Sequence, residues 1–154
     1  MKRNLLLSLI ALLIGVVTVS AQRKGSAEER RHWMREIQHY KVEYVTKTLK
    51  LTDEQKAKFV PMYQSMEADQ RKLQEETRRL ERSVVKRGDK VSDLEYEKAS
   101  EALYELKSKE GKIELDYMKK FKTVLSPQQL FNLKIAERKF TRELMKHHAK
   151  KRDK

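Results

Sequence analysis

His32, Glu36, His39 and Glu43 are the residues whose types and spacing come nearest to chemistry. At 100° per residue they fall within an arc of about 60° on one helix, away from Trp33 and Ile37. Two imidazoles and two carboxylates on one face make a candidate site for a divalent transition metal, with His32, Glu36 and His39 as ligands. The spacing works against it. His32 and His39 stand about 10 Å apart along a helix axis, so one ion needs a further ligand between them or from a second copy. The competing reading is a solvated face whose carboxylates pair with Arg31, Arg35 or Lys47 at helical offsets. His147 and His148 are weaker candidates, because adjacent helical residues face different directions.

Nucleophilic catalysis lacks parts. There is no cysteine, and neither His32 nor His39 has a nearby serine with a glycine-supported oxyanion site. Gly15, Gly25, Gly88 and Gly111 stand alone, so no phosphate-cradling loop is present. Zero cysteine also excludes disulfides, thiolate zinc sites and a lipid-modified N-terminal Cys. The chain is not expected to be an enzyme, and no cofactor is implied beyond the metal of the helix face.

The elements that must position these residues are helices. Four glycines and two prolines among 154 residues, with 38% charged, argue against a sheet-rich fold. Met1-Lys2-Arg3-Asn4, the apolar run from Leu5 to Val19 and the small residues Val19-Ser20-Ala21 read as a cleaved export signal over residues 1–21. The apolar run is short of the roughly 20 residues that a spanning anchor needs. Removing residues 1–21 leaves 133 residues and a charge of +11, against +13 for the whole chain. Export from the cytoplasm turns that charge away from nucleic acid and toward acidic proteins or headgroups, with strong salt dependence. No stable membrane insertion is expected after cleavage.

Four capping signals place four helices in a single domain over residues 22–148, with 149–154 as a basic, disordered tail. Ser26 with Glu29 opens helix 1, expected over about 27–48, and Thr52 with Gln55 opens helix 2, running to about Arg87. Ser92 with Glu95 opens helix 3, stapled by Val91 and Tyr96 and running to about Val124. Ser126 with Gln129 opens helix 4, with Pro127 at the tolerated first position and Leu125 stapling to Leu130. Gly88 is placed to take a left-handed terminal conformation.

Apolar stripes at helical spacing define the expected core. They are Trp33, Met34, Ile37, Tyr40, Tyr44 and Val45; then Phe59, Met62, Tyr63, Met66, Leu73, Leu80 and Val84. Helix 3 adds Tyr96, Ala99, Leu103, Leu106, Ile113, Tyr117, Phe121 and Val124, and helix 4 adds Leu130, Leu133, Ala136, Phe140 and Leu144. Helices 2 and 3 are long, roughly 45–50 Å. Long, narrow-striped helices bury too little alone, which predicts an elongated all-α protomer and a dimer. Pro61 inside helix 2 predicts a bend. A hairpin turn centred near Lys90 sets Gln70 opposite Glu110, where the amide can donate to the carboxylate. Gly111 alongside would let a backbone or basic side chain come close.

Leu51-Thr52-Asp53-Glu54-Gln55 and Leu125-Ser126-Pro127-Gln128-Gln129 resemble the paired LTxxQ motifs of the Spy/CpxP family of periplasmic proteins. The second copy departs by Ser126 in place of Thr, which caps equally well. The motif residues are Leu51, Thr52, Gln55, Leu125, Ser126 and Gln129. The resemblance implies a bent helical hairpin, a cradle-like protomer and an antiparallel homodimer with a basic concave face. It implies an ATP-independent chaperone for unfolded envelope proteins, or an envelope-stress or metal-responsive regulator acting on a sensor protein. Some relatives bind or sense zinc, copper, cobalt or nickel. A basic chaperone resembling the Skp/OmpH group has a similar size and charge but begins with a strand, whereas residues 22–29 here are polar and capped into helix. Val42, Leu49, Val60, Phe131, Ile135 and Met145 fall outside the main stripes and are candidate client contacts, with a dimer contact as the competing use.

Overall fold

In a computed structural model, residues 27–152 are described, with side chains over 28–146. The export segment 1–21, the cap at Ser26, the side chains of His147 and His148, and residues 153–154 lie outside the described residues. The fold is all-α: α1 (Ala27–Thr48), α2 (Asp53–Arg87), a 3-10 turn (Gly88–Lys90), α3 (Asp93–Phe121) and α4 (Pro127–Arg152). Among the described residues, no helix is long and apolar enough to cross a membrane. The chain divides into two units, Met1–Ile37 and Gln38–Lys154, so α1 belongs to the second from Gln38 onward.

Local chemistry accounts for the helix ends. Thr52 Oγ1 accepts from the Gln55 N–H at 3.2 Å while Gln55 Oε1 accepts from the Thr52 N–H at 3.2 Å, closing the box at the start of α2. Ser126 and Gln129 repeat it at 3.0 and 3.2 Å. α1 ends where expected, but without glycine: Lys50 takes φ 51°. The Leu51 N–H donates to the Thr46 carbonyl and the Lys50 N–H to that of Lys47, a Schellman arrangement. Leu51 then turns into the core. α3 stops at Phe121, short of the expected Val124, because residues 122–124 tighten into turns that bring Leu125 down to the Phe121 carbonyl at 2.8 Å. α4 continues to Arg152, past the expected end near His148, since Ala149, Lys150, Lys151 and Arg152 include no helix breaker. α2 stays helical through Pro61, which is exposed.

Glu95 shows what these boxes do to a carboxylate. It accepts from the Ser92 N–H and hydroxyl at 3.0 Å each and from Arg87 Nη1 at 2.6 Å. The backbone bond to Ser92 foremost, then Arg87 and the Ser92 hydroxyl, hold its carboxyl down at about 2. A depressed carboxylate contributes its full stabilisation above its ordinary value of 4.5 and loses it as pH falls through about 2. NMR titration of the Glu95 carboxyl is expected to give a midpoint near that depressed value. Ser92→Ala should raise it toward the ordinary one.

The main core gathers Val45, Leu49, Leu51, Phe59, Tyr63, Met66, Phe121, Leu125, Leu133 and Ala136. Phe59 lies 5.2 Å from the Tyr63 ring and 5.0 Å from Phe121, and Phe140 meets Tyr40 and Tyr44 at 5.9 and 5.7 Å. A second cluster of Val84, Val91 and Ala99, backed by Leu80, closes the turn end of the α2–α3 hairpin. Not every stripe residue is covered: Met34, Tyr96 and Leu103 are exposed.

The hairpin register differs from the turn-centred one. Gln70 Nε2 donates to Glu114 at 3.2 Å, and Gln74 Nε2 donates to Glu110, so each amide meets a carboxylate one helical turn along from the expected pairing. Gln70 and Glu110 therefore do not face each other. The 3-10 turn prolongs the outward run of α2, and only Val91 and Ser92 are extended before α3 begins, so the chain reverses nearer Ser92 than Lys90. Gly88 has φ 50° but ψ −122°, outside the left-handed helical region expected for it. Apart from the backbone of its own helix, nothing approaches within 4 Å of where a Cβ on Gly111 would stand.

Candidate functional site

The two motif glutamines lie against each other. Gln55 Nε2 donates to Gln129 Oε1 at 2.9 Å, and Gln129 Nε2 donates back to Gln55 Oε1 at 3.2 Å. Each amide also reaches the loop before the other motif, Gln55 to the Val124 carbonyl at 3.0 Å and Gln129 to that of Leu49 at 3.4 Å. With each Oε1 also capping its own helix, both amides use two donor and two acceptor positions, which a carboxylate cannot do. Leu51 and Leu125, the first residues of the motifs, are buried beside this clasp. The motifs thus join the starts of α2 and α4.

Above the clasp a polar chain crosses the helices. Tyr63, fully buried, donates its hydroxyl to Glu137 at 2.9 Å. Burial first, then the Glu137 charge, pushes that phenol far above its ordinary range, so it remains a donor. Lys134 meets Glu114 at 2.6 Å and Glu137 at 3.5 Å, Gln70 donates to Glu114, and Lys41 pairs with Glu67. Among the described residues, no buried side-chain nitrogen or oxygen lacks a partner. This layer was not read from sequence. Its signal was the interruption of the stripes by Gln70 and Glu110 at one level, correct in kind and wrong in partner.

The candidate client residues separate. Leu49 is buried in the core, which corrects its reading as an exposed contact: the tight end of α1 turns it inward. Val42 and Val60 are partly buried against the same core. Phe131 and Met145 are 70% and 65% exposed, and Ile135 is half-buried between them. Phe131, Ile135, Arg138, Arg142 and Met145 recur at alternating intervals of four and three residues. They form an outer stripe about 80° wide, opposite the buried Leu133, Ala136 and Phe140. Arg138 and Arg142 are exposed and meet no carboxylate among the described residues.

On α1, His32 Nδ1 lies 3.5 Å from Glu36, and Glu43 is held by Lys47 at 2.8 Å, the solvated-face pairing. The hydrogen bond from Lys47, foremost, lowers the Glu43 carboxyl below its ordinary range. Among the described residues, no three His, Asp or Glu side chains are grouped to hold a metal ion, so His32, Glu36 and His39 gain no geometric support as ligands. No family model, curated protein or solved structure matches the chain, and its resemblance to the Spy/CpxP proteins rests on the two motifs themselves.

Proposed function

We propose that this chain is an exported, ATP-independent chaperone of the Spy type, holding unfolded envelope proteins on a basic and partly apolar surface. The observation that carries the reading is the outer stripe of α4, where exposed Phe131 and Met145 flank two unpaired guanidiniums. Arginine beside soft or aromatic apolar groups attracts an unfolded acidic chain by charge and holds it by adaptable contact. The stripe is poorly suited to pairing with its own copy along α4. A two-fold antiparallel contact centred on the Phe131–Met145 span sets Arg138 against Arg138, and like charges repel there. The antiparallel dimer expected from the resemblance belongs to the same proposal, with Tyr96 and Leu103 on α3 as the open apolar groups it covers.

The test is light scattering from a reduced, unfolding client with the mature protein and no nucleotide. Aggregation should be suppressed, and less so as salt rises, because the Debye length shrinks from about 10 Å at 0.1 M to about 3 Å at 1 M. Phe131→Ser with Met145→Ser should weaken suppression at every salt concentration. Arg138→Gln with Arg142→Gln should flatten the salt dependence. A mature protein that suppresses nothing at any ionic strength overturns the chaperone reading in favour of a regulator of the CpxP type.

A further inference from the structure

Beside α4 lies a cavity of about 410 Å³ to which all four helices contribute. Its charged lining is Lys41, Lys134, Arg138 and Arg142 against Glu114 and Glu137. Most of these charges are already engaged. Lys41 is committed to Glu67, and Lys134 bridges Glu114 and Glu137. Burial works against the Lys134 charge, but its bonds to Glu114 and Glu137 prevail and hold the ammonium above the ordinary lysine value.

Arg138 and Arg142 differ. They stand one helical turn apart on α4, both line the cavity, and neither meets a carboxylate among the described residues. Gln70 spends one amide hydrogen on Glu114 and keeps the other, while the Thr141 hydroxyl is turned to the Glu137 backbone carbonyl. The open groups are thus mainly donors, two guanidinium forks and an amide N–H. They call for a ligand rich in acceptor oxygens, and two uncompensated cations match a charge near −2. A phosphate monoester carries about −1.5 to −2 at neutral pH and offers three oxygens for fork-like bonds. The volume falls within the range of about 300–1,000 Å³ for small-ligand sites, more than bare phosphate fills.

We propose that this cavity binds a phosphate monoester, its phosphate held between Arg138 and Arg142 and its organic part lying toward Gln70. Glu114 and Glu137 keep the anion on the arginine side and favour a hydroxyl-bearing group beside themselves. A soluble phosphate ester and a phospholipid headgroup share this chemistry, and the experiment separates them.

Calorimetric titration of the full mature chain with glycerol 3-phosphate, at constant ionic strength, tests the soluble source. Flotation with phosphatidylcholine vesicles, with and without phosphatidic acid, tests the lipid one. Arg138→Ala with Arg142→Ala should weaken binding about tenfold or more, since hydrogen bonds to charged groups are among the strongest. Lys98→Ala with Lys122→Ala removes the same charge away from the cavity and should leave binding within about twofold. Thermal melts of both variants check that each is folded. Arginine-dependent binding in either arm supports the site and identifies its source. No saturable binding in either arm, or equal loss in both double variants, overturns it and leaves only general charge attraction.

Discussion

Replacing Phe59 with alanine is expected to cost about 3–5 kcal/mol, the range for deleting a fully buried aromatic ring. Phe59 has no exposed surface, and its ring packs against both Tyr63 and Phe121 at 5.2 and 5.0 Å, closing a triangle of three rings. Its removal withdraws contacts from both rings at once, and the helical backbone of α2 prevents neighbours from closing the gap. Against a typical domain stability of about 5–15 kcal/mol, such a loss leaves the protein marginal. Urea denaturation followed by circular dichroism measures it as a lower midpoint at unchanged slope. Phe131→Ala is the comparison. That ring is 70% exposed, and its loss should stay within about 0.5 kcal/mol. Equal costs at the two positions would contradict the division of α2 and α4 into a buried face and an open stripe.

Helix starts were legible because they are written in short-range hydrogen-bond chemistry. Thr52, Ser92 and Ser126 each close a capping box with the residue three positions on. The core was legible from periodicity, with Phe59, Tyr63, Met66, Phe121, Leu133 and Ala136 all buried on their expected faces. Helix ends were less so. Lys50 adopts a positive φ that its side chain does not announce, and that conformation, not any pattern of polarity, carries Leu49 and Leu51 inward. The hairpin register failed at the 3-10 turn over Gly88–Lys90, a few residues whose conformation decides every pairing beyond them. Of the candidate contacts, Phe131 and Met145 are as exposed as periodicity required, but exposure is a property of one protomer and says nothing of what comes to cover it. The partnership of Gln55 and Gln129 was hidden for a different reason. Each glutamine was already accounted for by its own capping box, and nothing local shows that its amide nitrogen is needed elsewhere.

That second duty can be isolated by substitution. Gln55→Ala and Gln129→Ala each remove a cap, the bonds between the two amides and a donor to a loop carbonyl, at an expected cost of about 1–3 kcal/mol apiece. Because the Gln55–Gln129 bonds are lost in either single variant, the double variant should cost less than the two together, with a coupling of about 0.5–2 kcal/mol. Gln55→Glu separates the two roles. Glutamate serves the third position of a capping box as well as glutamine does, so the cap on Thr52 survives. It has no N–H for the Val124 carbonyl, and at neutral pH it sets a carboxylate against Gln129 Oε1 and that carbonyl. If the amide donors join the start of α2 to that of α4, Gln55→Glu should be nearly as unstable as Gln55→Ala and recover part of the loss in acid, where the protonated carboxyl regains a donor. Urea midpoints at pH 7 and pH 4 give both quantities. A Gln55→Glu variant as stable as the parent at pH 7 would reduce the paired glutamines to two independent helix caps.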